Sequence, residues 1–402
     1  MADINPPAAS PKRSGKQGSK RRKRSAPRKA GAKIARSPVE TGQKGESPPA
    51  LRGSAVFSNG AVFRQSYAAI DLGTNNCRLL IARPSGEAFT VIDAFSRVVR
   101  LGEGLAQSGR LSEAAMDRTV AALRVCADKL RRRGVYLARS VATEACRQAS
   151  NGEDFITRVR EETGIALDII SAQEEARLAV LGCHVLLEAG VGPAMIFDIG
   201  GGSTELVLIE STDTVPRIID WHSVPWGVVS LTEHCGPEGS TAADRLARYE
   251  RMRTLVADNF SAFIERSASL REAAAASGPL RLLGTSGTVT TLASLHLDLP
   301  QYDRKAVDGL IVPAQSMRDI SSRLVSLSLE ERYDLRCIGR ERADLVIAGC
   351  AILEAILDLW PASRLGVADR GIREGILRSL IGLNSRPSAQ QGAPIRQMSV
   401  AQ

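Results

Sequence analysis

The stretch Phe197-Asp198-Ile199-Gly200-Gly201-Gly202-Ser203-Thr204-Glu205-Leu206-Val207-Leu208 decides the fold. Apolar, strand-like residues flank a turn that begins with an aspartate and holds three consecutive glycines. Glycines within an apolar strand pattern are costly unless the backbone must approach another group closely. The stretch therefore predicts a β-hairpin whose turn contacts a ligand.

A second copy of this pattern lies upstream. Residues 70–81, Ile-Asp-Leu-Gly-Thr-Asn-Asn-Cys-Arg-Leu-Leu-Ile, align without gaps on residues 197–208 when Asp71 is matched to Asp198. One Asp-x-Gly turn could arise by chance, but two with matched flanking strands indicate an internal repeat.

The repeat continues beyond the hairpin. An Ile-Asp pair ends 22 residues past each aspartate, at Asp93 and at Asp220. Strand-like and helix-like segments then alternate through the rest of the chain, which is the pattern of an α/β fold. The sequence predicts two homologous α/β lobes, residues 66–190 and 191–383, whose turns face one cleft.

The basic residues are concentrated at the N-terminus. The 402 residues carry a formal charge of +9, but residues 1–65 hold 15 Lys+Arg and three acids, so the remainder is mildly acidic. This segment is rich in Pro, Ser and Gly and predicts a disordered tail, as do residues 384–402. The tail either aids solubility or contacts polyanions or nucleic acid without base specificity.

Cysteine, histidine and apolar residues exclude several classes of protein. Seven cysteines occur without a Cys-x-x-Cys pair, and only four histidines are present, so neither a zinc knuckle nor a disulfide framework is indicated. Residues 345–360 are the most apolar long stretch, but Glu354 and Asp358 favour a buried helix over a membrane span. With no apolar N-terminal signal segment, we expect a cytoplasmic protein without membrane association.

The two turns have the chemistry of a phosphate site. Gly73 lets the backbone approach closely, the amides that follow can point at oxygen anions, and Asp71 offers a carboxylate to a hard cation. No Gly-x-x-x-x-Gly-Lys-Ser/Thr motif is present. Charge neutralisation must therefore come from amides, a divalent ion and arginines, with Arg78, Arg100 and Arg147 as candidates for either phosphate contacts or salt bridges.

A third loop, Gly284-Thr285-Ser286-Gly287-Thr288, follows a predicted strand and opens a predicted helix. The N-terminus of a helix favours an anion, although simple N-capping by a hydroxyl explains the same residues. Glu144 follows another buried strand, where loop carboxylates commonly reach a cleft. Glu174 and Glu175 lie in the first turn of a helix, where stabilisation of the helix dipole and catalysis are equally consistent with the sequence.

Together these motifs resemble the Ppx/GppA family, which comprises exopolyphosphatases and guanosine pentaphosphate phosphohydrolases of the actin/sugar-kinase/Hsp70 superfamily. The resemblance covers about residues 67–380 and rests on the ordered combination of seven elements: DLGTN at 71–75, VRLGEGL at 99–105, ATEACR at 142–147, ISAQEEA at 170–176, DIGGGSTE at 198–205, GTSGT at 284–288 and DRGIREG at 369–375. The chain looks like the short, two-domain form of the family.

The resemblance implies two ribonuclease H-like, actin-like ATPase lobes with the phosphate chain bound between them. It implies catalytic roles for Glu144 and for an acid of the Glu174–Glu175 pair, and a Mg²⁺ site, open to other divalent ions, at Asp71 and Asp198. A monovalent cation and a homodimer are further expectations. The phosphate-binding residues expected from the turns, the third loop and the arginine candidates are Gly73, Thr74, Asn75, Arg100, Gly200, Gly201, Gly202, Ser203, Gly284, Thr285 and Ser286.

The first hypothesis is an exopolyphosphatase that hydrolyses terminal phosphate from inorganic polyphosphate by Mg²⁺-assisted attack of water. The alternative is a guanosine pentaphosphate 5′-phosphatase, which uses the same chemistry. An ATP-dependent sugar or acid kinase and a non-enzymatic polyanion-binding module are the other classes considered. The acids Glu144 and Glu174/Glu175 and the element at residues 369–375 favour a phosphatase.

Overall fold

The computed structural model describes residues 65–86, 88–212 and 215–385. The predicted tail, residues 1–65, lies outside these ranges except for Gln65. The predicted C-terminal segment, residues 384–402, also lies outside them except for residues 384 and 385, which belong to the last helix.

The first sheet consists of β1 (Ser66–Leu72), β2 (Asn76–Ser85), β3 (Ala88–Val98), β4 (Val135–Ala142) and β5 (Leu167–Ile169). Its spatial order is β3-β2-β1-β4-β5. The first three strands are antiparallel, and β4 and β5 continue the sheet in parallel with β1.

The second sheet repeats this arrangement and consists of β6 (Pro193–Ile199), β7 (Thr204–Glu210), β8 (Arg217–Val224), β9 (Arg281–Thr285), β10 (Ile311–Pro313) and β11 (Arg364–Ala368). Its order is β10-β11-β9-β6-β7-β8, with β6, β7 and β8 antiparallel and β9 parallel to β6.

The internal repeat predicted from the sequence corresponds to these two meanders. Each contains a register irregularity at the equivalent place, between Ile81 and Ala82 in the first and between Leu208 and Ile209 in the second. Both irregularities lie ten residues after the aspartate of the turn. Because bulges are specific features of a strand pair, this shared position supports the matched alignment of the two hairpins.

Helices cover the sheets and connect the lobes. The first lobe contains α1 (Leu105–Ser108), α2 (Glu113–Arg132), α3 (Glu144–Gln148), α4 (Gly152–Thr163) and α5 (Ala172–Cys183). The rest of the described chain contains α6 (Val228–His234), α7 (Ala242–Ser277), α8 (Gly287–His296), α9 (Arg304–Val307), α10 (Ala314–Ser326), α11 (Leu329–Tyr333), α12 (Val346–Leu359) and α13 (Ile372–Ser385).

The predicted buried helix at residues 345–360 is confirmed as α12. Of its 14 residues, only Asp358 is not buried, and the helix packs in the core beneath the second sheet. Among the described residues, no helix combines the length and the apolarity needed to cross a membrane.

Helices α5 and α13 pack against each other on the first sheet, and α5 also reaches the second. One face of α5 packs with the first sheet and α13 through Leu178 and Ala179, and its other face packs on the second sheet through Ala176 and Val180. The last helix, α13, contacts β1 rather than the second sheet through Ile376. The chain therefore returns to the first lobe at its end, whereas the sequence-based division assigned this helix to residues 191–383. That division by chain order stays a prediction.

Candidate active site

The two glycine-containing turns lie against each other in one cleft. A Cβ atom added to Gly201 would lie 3.1 Å from the amide nitrogen of Asn75, and one added to Gly202 would lie 2.7 Å from Thr74 Oγ1. Neither position could carry a side chain without displacing the opposite turn. The absence of side chains therefore lets backbone from both lobes converge on one point.

The second turn is held from behind by α6. The amides of Val228 and Val229 donate to the carbonyl oxygens of Gly200 and Gly201 at 3.0 and 2.8 Å. The hydroxyl of Ser230 donates to the carbonyl oxygen of Gly202 at 3.0 Å. These contacts occupy the carbonyl groups of the turn.

The first turn is supported in the same manner. Gly73 N donates to Asn76 O at 2.9 Å and closes the turn, while Asn75 O accepts from Val99 N at 2.9 Å and from Arg100 N at 3.1 Å. Gly102 N donates to the carbonyl oxygen of Thr74 at 2.9 Å. The amides of Gly73 and Gly200 close their own turns. Because the carbonyl groups are engaged on both sides, the remaining turn amides are the groups available to an anion in the cleft.

The cleft is lined by residues of both lobes: Asp71, Gly73, Thr74, Asn75, Asn76, Arg78, Thr143, Glu144, Glu175, Asp198, Ile199, Gly200, Gly201, Gly202, Ser203, Val228, Ser286, Gly287, Thr288, Thr291, Arg342, Leu345, Val346 and Ile372. Twelve of the sixteen predicted site residues are thus brought together there, and both aspartates are among them. One of these lining residues, Asn75, has a buried side-chain oxygen, Oδ1, without a hydrogen-bond partner within the described ranges. A buried acceptor of this kind normally finds a donor, and in an open cleft a bound water or ligand supplies it.

Buried carboxyl groups dominate the electrostatics of the cleft. Burial raises the pKa of Asp71, although the nearby Arg78 and Arg373 oppose the shift. Burial and the neighbouring Glu205 raise the pKa of Asp198 to about 8. An acidic cluster of raised pKa favours binding of a cation or proton, and such perturbed groups concentrate at functional sites.

Glu205 was not predicted as a site residue, although it is the last residue of the motif at residues 198–205. It lies opposite Asp198 in the hairpin and is only 2% exposed. Its Oε1 accepts hydrogen bonds from Ser203 Oγ at 2.6 Å and Ser223 Oγ at 3.1 Å. Burial raises the pKa of Glu205 to about 7, although the two serine hydroxyls lower it. An acid inside an otherwise apolar strand was the signal that could have identified it.

Glu144 lies beside both turns at the start of the short helix α3. A Cβ atom added to Gly202 would be 3.0 Å from Glu144 Cγ. Arg147, one turn along α3, pairs with the Glu144 carboxylate, and Gln148 donates a hydrogen bond to it. The carboxylate is thus fixed in orientation at the edge of the amide-lined cleft.

The arginine that holds Glu144 also holds Glu175. Arg147 donates to Glu175 Oε2 at 3.2 Å and to the carbonyl oxygen of Ile170 at 2.7 Å. Burial, followed by the neighbouring Glu205, raises the pKa of Glu175. Arg147, a candidate phosphate ligand in the sequence, therefore contacts the acids of the cleft.

The adjacent acid points elsewhere. Glu174 pairs with Arg139 at 2.9 Å and with Arg177 at 2.7 Å and does not line the cleft. The hydrogen bond from Arg177, followed by that from Arg139, lowers the pKa of Glu174. Of the two acids left open by the sequence, the structure brings only Glu175 to the cleft.

Some predicted phosphate ligands also lie away from the cleft. Arg100 donates to Asp344 Oδ2 at 3.3 Å across the lobes. Gly284 is buried against the ring of Phe197, and the Thr285 hydroxyl donates to the carbonyl oxygen of Arg370 at 2.7 Å. From the predicted members of the third loop, only Ser286 lines the cleft.

Ser286 has a strained backbone. Its φ angle of 143° is one that side-chain-bearing residues rarely adopt, and its hydroxyl accepts a hydrogen bond from the amide of Val289 at 3.3 Å. Backbone strain of this type is retained where the surrounding structure requires it, often at ligand sites. The residue caps α8 and borders the cleft, so both interpretations made from the sequence apply to it.

The acids of the cleft fit one mode of divalent-metal binding. Within the described part of the chain, no three His, Cys, Asp or Glu side chains are grouped as a ready-made metal cage. Mg²⁺ is commonly held by one or two carboxylates together with substrate phosphates and water. Asp71 and Asp198, which line the same cleft, match that requirement.

Fold and cleft together define a class: a two-lobed α/β protein of actin-like architecture whose paired hairpin turns can bind phosphate. The sequence profile of the Ppx/GppA phosphatase family matches residues 80–383. The chain belongs to this family of phosphatases, whose members hydrolyse phosphoanhydride bonds and generally depend on divalent metal ions.

Individual relatives agree with this assignment. Exopolyphosphatase 2 of Mycobacterium tuberculosis is 31% identical over 333 residues, which span 78% of this chain and 98% of the relative. The guanosine-5′-triphosphate,3′-diphosphate pyrophosphatase of Aeromonas salmonicida is 30% identical over 322 residues, 79% of this chain but 60% of that longer protein. The crystal structure of the Aquifex aeolicus Ppx/GppA family member aligns with a TM-score of 0.64 at 27% identity, over 80% of this chain and 99% of its own.

Proposed function

We propose that this protein is an exopolyphosphatase that releases terminal orthophosphate from inorganic polyphosphate. The observation that carries the proposal is the position of Glu144, fixed by Arg147 and Gln148 immediately beside two turns whose amides face the cleft. A terminal phosphoryl group bound by those amides would lie next to the Glu144 carboxylate. Phosphoryl transfer to water requires positioning and charge neutralisation more than a covalent nucleophile.

In this mechanism Glu144 orients a water molecule and accepts its proton as the water oxygen bonds to the terminal phosphorus. The bridging P–O bond breaks, and the shortened chain leaves with its negative charge. Amides of the two turns, from residues 74–75 and 201–203, stabilise the charge on the transferred phosphoryl oxygens. Glu175 shares Arg147 with Glu144 and so keeps that arginine in place.

Asp71 and Asp198 would hold the divalent ion, which we propose to be Mg²⁺ with other divalent ions as substitutes; when bound, it neutralises phosphate charge. Glu205 lies behind them and fixes the Ser203 hydroxyl through the hydrogen bond at 2.6 Å. We keep a monovalent cation requirement as a prediction.

A guanosine pentaphosphate 5′-phosphatase is the second candidate. It is favoured by the 30% identity to the Aeromonas salmonicida pyrophosphatase, but the match spans only 60% of that protein. The exopolyphosphatase relative is matched over 98% of its length, so polyphosphate is the first choice. Sugar-kinase activity and a purely binding role are disfavoured by membership of a phosphatase family.

Released phosphate distinguishes these functions. The full-length protein would be incubated with Mg²⁺ and, separately, with short polyphosphate, long polyphosphate and guanosine pentaphosphate. We expect stepwise shortening of polyphosphate, and a loss of about a hundredfold or more in kcat for Glu144→Gln, the range for removal of a general base. The matched control is Glu174→Gln, an acid outside the cleft. Faster turnover of the nucleotide would favour the second candidate, and unchanged activity of Glu144→Gln would contradict the mechanism.

Further parts of the proposal concern location and partners. We propose a cytoplasmic protein, in keeping with the seven cysteines, all of which are free thiols. The basic residues 1–65 would concentrate polyanions near the cleft by charge attraction. Truncation of residues 1–60 with no change in the apparent affinity for long polyphosphate would contradict this role. Dimer formation stays a prediction, to be checked by light scattering.

A further inference from the structure

A single helix connects the supports of the two turns that face the cleft. At its N-terminal end, α6 holds the second turn, because two of its amides donate to the carbonyl oxygens of Gly200 and Gly201. The residue before the helix, Gly227, is in backbone contact with this turn, since a Cβ atom added to it would lie 2.4 Å from the carbonyl carbon of Gly201. The position of α6 therefore fixes the position of the second turn.

The other end of α6 reaches the first lobe. Glu233 lies in the last turn of the helix and is half-buried, and its Oε1 accepts a hydrogen bond from the amide of Gly104 at 2.9 Å. Within the described ranges, the Glu233 side chain makes no other hydrogen bond and no ion pair. A hydrogen bond from a backbone amide to a carboxylate is stronger than one between neutral groups, and it orders only one side chain. This contact therefore joins the two lobes at a defined distance.

Gly104 ends the segment that supports the first turn. We call residues 99–104 the strap. Two amides at its start donate to the carbonyl oxygen of Asn75 at 2.9 and 3.1 Å, and the amide of Gly102 donates to the carbonyl oxygen of Thr74 at 2.9 Å. A Cβ atom added to Gly102 would lie 2.3 Å from Thr74 Cγ2, so the strap also packs directly on the turn. The position of the strap therefore fixes the position of the first turn.

The strap has a second contact with the other lobe, but that contact constrains the lobes less. Arg100 pairs with Asp344 at 3.3 Å, and the two side chains are 38% and 33% exposed. An ion pair of this exposure contributes little, because water screens it and both side chains must be ordered. Glu233 instead binds the backbone of the strap directly, so its contact sets the distance between the two turns.

That distance matters because the groups that act on the substrate belong to different lobes. Glu144 belongs to the first lobe, and its Cγ would lie 3.0 Å from a Cβ atom added to Gly202 of the second turn. A phosphoryl group held by the second turn must therefore lie at a set distance from the Glu144 carboxylate. A displacement of about 1 Å between reacting groups can lower a rate by about a hundredfold.

We propose that Glu233 is a positioning residue: through the strap it sets the distance between the two turns and so places Glu144 against the bound phosphoryl group. This inference rests on the proposed function and extends it to a residue that does not line the cleft. Each turn keeps its own amides when the contact is lost, so phosphate binding should be largely retained while turnover falls. A role of Glu233 in stability alone would leave both kcat and KM of the folded protein unchanged.

Three substitutions of Glu233 in the full-length protein test the proposal. Glu233→Gln keeps an acceptor oxygen at the same reach, Glu233→Asp keeps the charge but is one methylene shorter, and Glu233→Ala removes both. The matched control is Glu331→Ala, since Glu331 also accepts from a backbone amide, that of Ser328 at 2.7 Å, but within its own lobe. Steady-state phosphate release from polyphosphate with Mg²⁺ gives kcat and KM, at a temperature where thermal unfolding shows each variant to be folded.

We expect Glu233→Ala and Glu233→Asp to lower kcat by about tenfold or more and to change KM by less than about threefold. Glu233→Gln should keep kcat within about threefold of the parent, and Glu331→Ala within about twofold. This order differs from that of helix propensity, in which alanine is the most favourable residue, so damage to α6 would not reproduce it. Glu233→Asp keeps the comparison informative if Glu233→Ala fails to fold.

Hydrogen exchange provides a measurement that does not need turnover. In Glu233→Ala, the amides of the strap should exchange about tenfold faster than in the parent, and Glu233→Gln should restore their protection. An unchanged kcat in Glu233→Ala, or a loss in Glu233→Gln as large as that in Glu233→Ala, would overturn the proposal. A parent chain that releases no phosphate in a Glu144-dependent manner would contradict the proposed function instead. In that case, unaltered exchange of the strap in Glu233→Ala would show that Glu233 does not hold it.

Discussion

At the scale of single residues, the cleft and the hairpin strand beside it hold acids whose ionisation opposes folding. Asp71, Glu175, Asp198 and Glu205 all have a raised pKa, and burial is the largest cause for each. The folded chain therefore retains protons that the unfolded chain releases. A cation or phosphate-bound cation in the cleft would offset that cost, because it favours the charged carboxylates.

Glu205 provides a measurable pH dependence. Its pKa is about 7 in the folded chain against an ordinary 4.5, so the folded state binds more protons between these values and stability falls as pH rises through them. The loss is complete above pH 7 and amounts to at most about 3 kcal/mol. We expect Glu205→Gln to remove this contribution, which urea unfolding at pH 5 and pH 8 with a chelator present would detect. An equal change in stability at both pH values would contradict the assignment.

Glu174 and Glu175 are adjacent in the sequence, but only Glu175 lies in the cleft, so their variants can be compared directly. Glu175 shares Arg147 with Glu144, whereas Glu174 pairs with Arg139 and Arg177 outside the cleft. We expect Glu175→Gln to lower kcat by about tenfold or more, because Arg147 loses a charged partner beside the general base. Glu174→Gln should leave kcat within about twofold, as surface ion pairs contribute little. Steady-state phosphate release measures both, and equal effects would show that position in the cleft does not matter.

At the scale of secondary-structure elements, the hairpin turns were predictable and the orientation of helices was not. Turn chemistry is local, so three glycines after Asp198 predicted the turn and its close contact. Glu174 and Glu175 are neighbours about 100° apart around α5, and only the packing of that helix decides which one faces the cleft. The sequence also left open whether Arg147 contacts phosphate or forms a salt bridge, because its partner Glu175 is distant in the sequence.

The crossing of α5 and α13 depends on glycine at one position of the last helix. A Cβ atom on Gly375 would lie 2.0 Å from the carbonyl oxygen of Leu178, whereas one on Gly382 would meet nothing within 4 Å. We expect Gly375→Ala to destabilise the protein by about 2 kcal/mol or more, since backbone must move. Gly382→Ala should stabilise it by up to about 1 kcal/mol through helix propensity. Urea unfolding of the two variants gives the comparison, and effects of the same sign would argue against this crossing.

At the scale of the whole molecule, the lobes are joined by contacts that no local pattern reveals. The segment after β3 reaches the second lobe twice: Arg100 pairs with Asp344 at 3.3 Å, and Gly104 N donates to Glu233 Oε1 at 2.9 Å. Arg100 also has a φ angle of 47°, in the left-handed region. Each contact joins residues more than a hundred positions apart, as does the return of α13 to the first sheet. Sequence periodicity describes faces of elements and cannot supply such pairings.

The ion pair between Arg100 and Asp344 can be tested by mutation of the aspartate. The sequence made Arg100 a candidate phosphate ligand, yet in this structure its guanidinium lies away from the cleft and pairs with the Asp344 carboxylate of the other lobe. If Arg100 binds phosphate, Asp344 competes with the substrate for it, and Asp344→Asn should lower KM for polyphosphate by about twofold to fivefold, the scale of an exposed ion pair. The kcat should change little, because Glu144 and the turns are untouched. Glu341→Gln is the control, since Arg100 contacts only the backbone carbonyl of Glu341. A raised KM for Asp344→Asn would instead show that the ion pair supports the substrate-binding arrangement of the lobes, and Arg100 would then be a joint between them rather than a phosphate ligand.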